Sequence, residues 1–222
     1  MKIDIVSDVV CPWCYIGKRR LERALGTLRE SEPALDITLR WHPFQLNPDL
    51  PHAGIDRRRY LDAKFGGAAR AAQIYERVRE AGRESGLALA FDRIERQPNT
   101  LDAHRLIAWA QREDPARAGD LVERLFRAYF VEGAFIGDAE TLATLAADAD
   151  YPRRAAAAML ASDAMRDEVA AADERARSLG IQGVPFFVFE SRVAVSGAHE
   201  PATLLEAIAQ ARAPVTEDPP RR

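Results

Sequence analysis

Cysteine is almost missing from this chain. There are two among 222 residues, and both fall inside one tetrapeptide, Cys11-Pro12-Trp13-Cys14. That excludes a disulfide-stapled scaffold, which needs several bridges spread along a short chain. Long apolar runs are missing too: no stretch approaches the ~18 residues of a membrane span, and Met1-Lys2-Ile3-Asp4 lacks the apolar core of a secretory signal. A cytoplasmic location with no membrane partner is expected. Charge of one sign is also scarce. Lys and Arg number 31 against 34 Asp and Glu, a net charge of −3, so no positive field exists to recruit nucleic acid. Histidine occurs only at His42, His52, His104 and His199, none paired at ligand spacing, and no second CxxC is present. A structural zinc site wants four ligands, so no metal is expected.

What is there is an ordinary globular composition, 47% apolar and 29% charged. At ~150 residues per domain the length suits one domain carrying a sizeable insertion. The cysteine pair then carries the information. A bridge across two intervening residues restricts the unfolded chain very little, so stability is a poor reason for it. A dithiol that opens and closes is the remaining chemistry. Ile3 to Ser7 reads as a short strand, and after Pro12 the residues Tyr15, Leu21, Ala24, Leu25 and Leu28 recur at helical spacing. Pro12 suits the first helical position, which makes Cys11 the N-cap. Free amides and the positive helix end favour a thiolate there, so Cys11 is expected to attack. Cys14, three residues on and set into the helix, is expected to resolve.

Farther along, Leu35, Ile37, Leu39 and Trp41 alternate with polar residues as a strand would. Pro43, Pro48, Pro51 and Gly54 then mark a change of architecture. From Asp56 to Gly180 the pattern is helical throughout. Its apolar stripes include Leu121, Val122, Leu125, Phe126, Tyr129 and Phe130, and a second runs through Met165, Val169, Ala172, Ala176 and Leu179. Asn99 or Thr100 is expected to cap the helix of Leu101, and Asp138 the helix of Leu142. Phe186 to Phe189 reads as a strand covered on both faces, Val193 to Val195 pairs with it across a turn at Ser191, and Pro201 opens a last helix. The order strand, helix, strand, insertion, strand, strand, helix is α/β: a thioredoxin-like fold with a large all-helical insertion. Residues 1–45 and 176–213 would form the thioredoxin-like part, 46–175 the insertion, and 214–222 a frayed tail.

The phrases SDVVCPWCYIGKRRLE, NTLDAHRLIAWA, GVPFFVFE and AVSGAHEP resemble the DsbA family of thioredoxin-fold thiol-disulfide oxidoreductases, in particular its cytoplasmic FrnE-like branch. The likeness runs from about residue 3 to residue 212. It implies a redox-active CxxC, Cys11 and Cys14, that exchanges with protein or small-molecule thiols through a mixed disulfide on Cys11. It also implies a cis proline at Pro185, beside the dithiol. Without an N–H, Pro185 would leave a backbone edge free for an extended substrate segment, with Val184 pairing to it. Pro12 and Trp13 would tune the redox potential. That potential spans about 150 mV among CxxC proteins, so the direction of electron flow stays open. No organic cofactor is implied, although glutathione could serve as thiol co-substrate. The protein would be a monomer or a homodimer.

Several residues carry two readings. Trp13 either offers an apolar contact to substrate or packs against the insertion. His104 either takes part in proton transfer or is a hydrogen-bonded histidine between insertion and core. Asp8 either relays a proton to Cys14 or is a solvated strand end. Arg19, Arg20 and the run Arg57 to Arg59 read as surface charge. Relatives with the same fold and insertion, the kappa-class glutathione transferases and 2-hydroxychromene-2-carboxylate isomerases, use a serine where Cys11 stands. A glutathione-dependent transferase or isomerase is therefore the second reading, and a chaperone-like binding module the third.

Overall fold

The computed structural model describes residues 1–214; of the expected tail, residues 215–222 lie outside the described residues. The chain opens with β1 (Lys2–Ser7), α1 (Pro12–Ser31) and β2 (Thr38–Pro43). The insertion follows as β3 (Ile55–Asp56), α2 (Arg57–Phe65), α3 (Ala68–Glu84), β4 (Arg96–Gln97), α4 (Leu101–Glu113) and α5 (Ala118–Arg127). It continues through α6 (Ala139–Asp148), α7 (Arg153–Leu160) and α8 (Arg166–Ser178). The chain then returns to β5 (Phe186–Phe189), β6 (Val193–Ser196) and α9 (Pro201–Arg212).

The sheet order is β2-β1-β5-β6, with β1 and β2 parallel and the other pairs antiparallel. Ile3 and Ile5 lie opposite Phe189 and Phe187. Because side chains alternate along a strand, these four point to one face. There they are fully buried with Leu21 and Leu25 of α1 and Leu204 and Ile208 of α9. The other face is thinner, Val6 meeting Phe44, Ala176 and Ile181. Phe186 and Val188 are therefore only half-buried, and the expected double coverage of β5 holds for one face.

Other departures have local causes. The second strand begins at Thr38 rather than Leu35, because β1 starts at Lys2 and pairs that residue with Thr38, leaving nothing for the earlier residues to pair with. The insertion is not purely helical: β3 and β4 pair Ile55 with Gln97 and Asp56 with Arg96, a ladder too short to leave a periodic signal. Leu179 is 81% exposed, because α8 stops at Ser178 before the stripe would return to the core. In contrast, the stripe from Leu121 to Phe130 is wholly buried. Its last residues lie in a π-helical turn, Ala128–Glu132, that closes α5. Asp138 caps α6 by accepting the Thr141 N–H, and it is Asn99, not Thr100, whose side chain accepts the Leu101 N–H.

Two arginines expected at the surface are buried. Arg20 donates to Ser85 Oγ and the Ala198 carbonyl and pairs with Glu200, tying α1 to the C-terminus of α3 and the start of α9. Arg57 donates to Gln97, to Tyr75 at 2.7 Å and to Tyr129 at 3.4 Å, while Arg58 and Arg59 are exposed as expected. The outer edge of β2 meets α4 through one amide. Gln111 accepts the Trp41 N–H at 2.7 Å and donates to the Trp41 carbonyl at 2.9 Å.

Candidate functional site

Cys11 has the extended backbone of an N-cap, φ −93° and ψ 112°, and Pro12 follows at the first helical position. Its carbonyl accepts the Cys14 N–H at 3.0 Å and its own N–H donates to the Asp8 carbonyl at 3.0 Å, so the sulfur is held at the end of β1 by backbone alone. The Cys11 thiol lies 3.5 Å from the Val184 carbonyl oxygen, to which it donates. The Val184–Pro185 peptide bond is cis. Pro185 packs on α1 at Gly17: a Cβ built there would lie 2.9 Å from Pro185 Cγ and 3.2 Å from Phe187 Cζ, so only glycine permits this approach. The Pro185 carbonyl accepts the Gly197 N–H at 2.8 Å. Cys11, Cys14, Pro12, Val184 and Pro185 thus form one constellation where β1, α1 and β5 meet.

Both cysteines are free thiols, Cys11 5% and Cys14 2% exposed. Burial pushes the Cys14 thiol well above its ordinary range, and the neighbouring Cys11 sulfur pushes the same way. The Ser7 hydroxyl and the backbone of Asp8 oppose that shift without overcoming it. Trp13 projects outward beside the pair, 39% exposed, rather than packing away against the insertion.

Asp8 is not a solvated strand end. It is fully buried, and its carboxylate accepts the Leu46 N–H at 2.7 Å and, more weakly, the Val10 N–H at 3.5 Å. His104 of α4 is buried beside it, with Nε2 3.4 Å from Asp8 Oδ1. That is ion-pair distance, yet the ring is not aligned on the carboxylate, and Nε2 has no hydrogen-bond partner among the described residues. The expectation of a hydrogen-bonded interface histidine is therefore corrected at this nitrogen: the position holds and the bond does not. Ser7, Gly17 and Trp41 were not singled out in the sequence; a buried indole N–H usually finds a partner, whereas Trp41 Nε1 has none among the described residues.

On its other side α1 is tied to α5. The Tyr15 hydroxyl donates to Glu123 at 2.8 Å, Lys18 and Arg19 bind the same carboxylate at 2.7 and 2.5 Å, and the Tyr15 ring stacks on Phe126 at 5.0 Å. Burial alone would raise the Glu123 carboxyl, but Lys18, Tyr15 and Arg19 together hold it below the usual range. Arg19 is thus a partly buried ion-pair partner rather than free surface charge. Among the described residues no three His, Cys, Asp or Glu side chains come together to hold a metal, and no helix is long and apolar enough to cross a membrane.

The family model described as a DSBA-like thioredoxin domain matches residues 2–209. A solved structure of a probable DsbA oxidoreductase from Streptomyces coelicolor is similar, with 31% identity, a TM-score of 0.84, and coverage of 98% of this chain and 94% of that one. The cytosolic disulfide reductase DsbM from Pseudomonas aeruginosa, solved with GSH, has the same fold at 18% identity and a TM-score of 0.62, over 96% of each chain. So does a 2-hydroxychromene-2-carboxylate isomerase at 17% identity and a TM-score of 0.67, over 95% of each chain. In sequence, the uncharacterised protein YwbO of Bacillus subtilis is 25% identical over 144 residues, and the match spans 65% of this chain and 64% of that relative's length.

Proposed function

The chain belongs to the DSBA-like thioredoxin domain family, and from that premise we propose that it exchanges its Cys11–Cys14 dithiol with disulfides of proteins or small molecules through a mixed disulfide on Cys11. One observation carries the reading. The Cys11 sulfur stands at the N-terminus of α1, with the Val184 carbonyl 3.5 Å away and a buried second thiol one helical turn behind it.

The chemistry runs as two displacements. The Cys11 thiolate attacks one sulfur of the substrate disulfide. A Cys11–substrate bond forms, the substrate S–S bond breaks, and the other substrate sulfur leaves as a thiolate. Cys14 then loses its proton and attacks Cys11 Sγ, forming the Cys11–Cys14 bond and expelling the second substrate thiolate. In reverse the same steps oxidise a dithiol. An extended substrate segment would lie along Val184 and Pro185, where the imide nitrogen presents no competing donor. Trp13 supplies an exposed ring beside the sulfur for apolar groups next to the scissile bond. Glutathione is the natural small thiol to reopen the bridge, and the reading places that exchange in the cytoplasm.

The test is Cys14→Ala trapping followed by mass spectrometry. A mixed disulfide on Cys11 supports the reading, and absence of any adduct under conditions that oxidise the native protein refutes it. Cys14→Ser separates the glutathione-dependent alternative. Loss of turnover with accumulating mixed disulfide favours exchange, whereas unchanged conjugation or isomerisation favours a transferase or isomerase.

A further inference from the structure

Among the described residues two large apolar side chains stand exposed, Trp13 and Leu179. Trp13 belongs to the dithiol site. Leu179 does not, and its exposure of 81% is built into the backbone. Gly180 follows it in the left-handed conformation, φ 84°, and donates its N–H to the Arg177 carbonyl at 2.9 Å, while the Ile181 N–H reaches back to the Ala176 carbonyl at 3.2 Å. This paired closure fixes the C-terminus of α8. It carries Ile181 inward beside Val6, Phe44 and Ala176 and leaves Leu179 pointing outward.

Beside Leu179 the thinly covered face of the sheet is open. A hollow of about 320 Å³ lies between α8 and the strands, floored by Val6 and Val188 and walled by Ala172, Ala176 and Ile181, with Leu179 at its rim. An exposed aliphatic side chain alone is ordinary, but one beside an apolar hollow makes a continuous patch, the usual mark of an interaction surface. Charges around the patch are mostly engaged. Asp4 is held by His42 at 2.7 Å and by Lys2 at 2.9 Å, and Arg177 binds Asp173 at 3.1 Å. Glu174 and Arg175, near the end of α8, are exposed and have no ion-pair partner among the described residues.

We propose that this patch pairs with the same patch of a second copy of the chain, forming a two-fold homodimer in which each Leu179 enters the partner's hollow. The patch is self-complementary, since it holds a knob and a hole, an unpaired acid and an unpaired base. An isologous contact requires this, because every residue that meets a second residue across the axis is met by it in turn. With the two α8 ends antiparallel across the axis, Glu174 of each copy faces the partner's Arg175, so one arrangement closes two apolar and two ionic contacts. A chain of different sequence would have to supply all four complements, whereas a second copy brings them. The patch shares no residue with the constellation of Cys11, Cys14, Pro12, Val184 and Pro185, so the dimer stands or falls separately from the exchange reaction.

Sedimentation velocity of the reduced full-length protein should show a monomer–dimer equilibrium. Leu179→Asp should weaken association about a hundredfold or more, since two leucines lose their burial at once. Its circular dichroism spectrum and the reaction of its two cysteines with dithiobis(nitrobenzoate) should match wild type, which separates loss of the contact from loss of the fold. The charges give a sharper test. Glu174→Arg and Arg175→Glu each set like charges opposite one another and should weaken the dimer on the order of tenfold, whereas the double variant restores opposite signs and should return it to near wild-type strength. A chain that stays monomeric into the high micromolar range overturns the proposal and leaves the patch to a different occupant. A dimer that Leu179→Asp leaves intact overturns it as well, and so does a double charge variant that associates no better than the single ones.

Discussion

Replacing Gly17 with alanine adds one methyl group to the interior of α1, and alanine is ordinarily about 1 kcal/mol better than glycine there. Here the methyl would sit 2.9 Å from Pro185 Cγ, 3.2 Å from Phe187 Cζ and 3.4 Å from Pro185 Cβ. A proline ring is fixed to its backbone and cannot swing aside, so β5 or α1 must move. Overpacking of this kind costs about 1–3 kcal/mol. Gly26 in the same helix is an internal reference, because a Cβ built there meets nothing within 4 Å. Helix propensity cancels between the two variants, leaving the Pro185 contact as their difference. At about 2–4 °C per kcal/mol for a chain of this size, Gly26→Ala should raise the midpoint by about 2–4 °C. The gap between the two variants should be about 2–12 °C. Thermal unfolding of the reduced proteins measures both. A shifted Pro185 also carries the Val184 carbonyl away from Cys11, so Gly17→Ala should change the alkylation rate of that thiol while Gly26→Ala does not. Equal stabilisation by both substitutions would refute the argument.

The remaining expectations concern charge and surface. Trp13→Ala should leave stability within about 0.5 kcal/mol while lowering kcat/KM for disulfides flanked by apolar residues about tenfold; equal loss on polar and apolar substrates would count against a contact role. Glu123→Gln removes a carboxylate that Lys18, Tyr15 and Arg19 hold below its usual range against the effect of burial. A depressed carboxyl stabilises the fold above its unfolded value near 4.3 and loses that contribution as pH falls through the folded value. The variant should therefore be weaker than wild type by on the order of 1–2 kcal/mol at neutral pH, allowing for partial exposure and for Glu22 as remaining partner of Lys18. In urea titrations the two should converge below about pH 4, and a constant gap would contradict the assignment. Arg57→Lys should cost about 1–3 kcal/mol, since an ammonium cannot span Gln97, Tyr75 and Tyr129; a loss under 0.5 kcal/mol in the same titrations would show that the fork is idle.

The dithiol's setting was legible because it is local. A strand ending, Pro12 and a helical stripe lie within some thirty residues, and backbone geometry places Cys11 as N-cap from them alone. Asp8 and His104 could be flagged by residue type, but their meeting depends on α4 returning from the insertion to β1. Ser7 and Trp41 belong to ordinary strand patterns, and only the packing of distant elements buries the Ser7 hydroxyl and the Trp41 indole nitrogen. Arg20 and Arg57 were misread because a charged side chain looks the same in sequence whether it faces water or distant acceptors such as Ala198 and Gln97. The helical stripe that failed, at Leu179, did so where the helix itself stopped.

The Gln111 amide has a consequence beyond the monomer. By offering Trp41 both an acceptor and a donor, it occupies the main-chain groups that a foreign strand would use to extend the sheet past β2. Accretion of copies by main-chain ladder growth is thereby barred at that position. The opposite border of the sheet is β6, only four residues long, too brief a template to nucleate cross-β stacking.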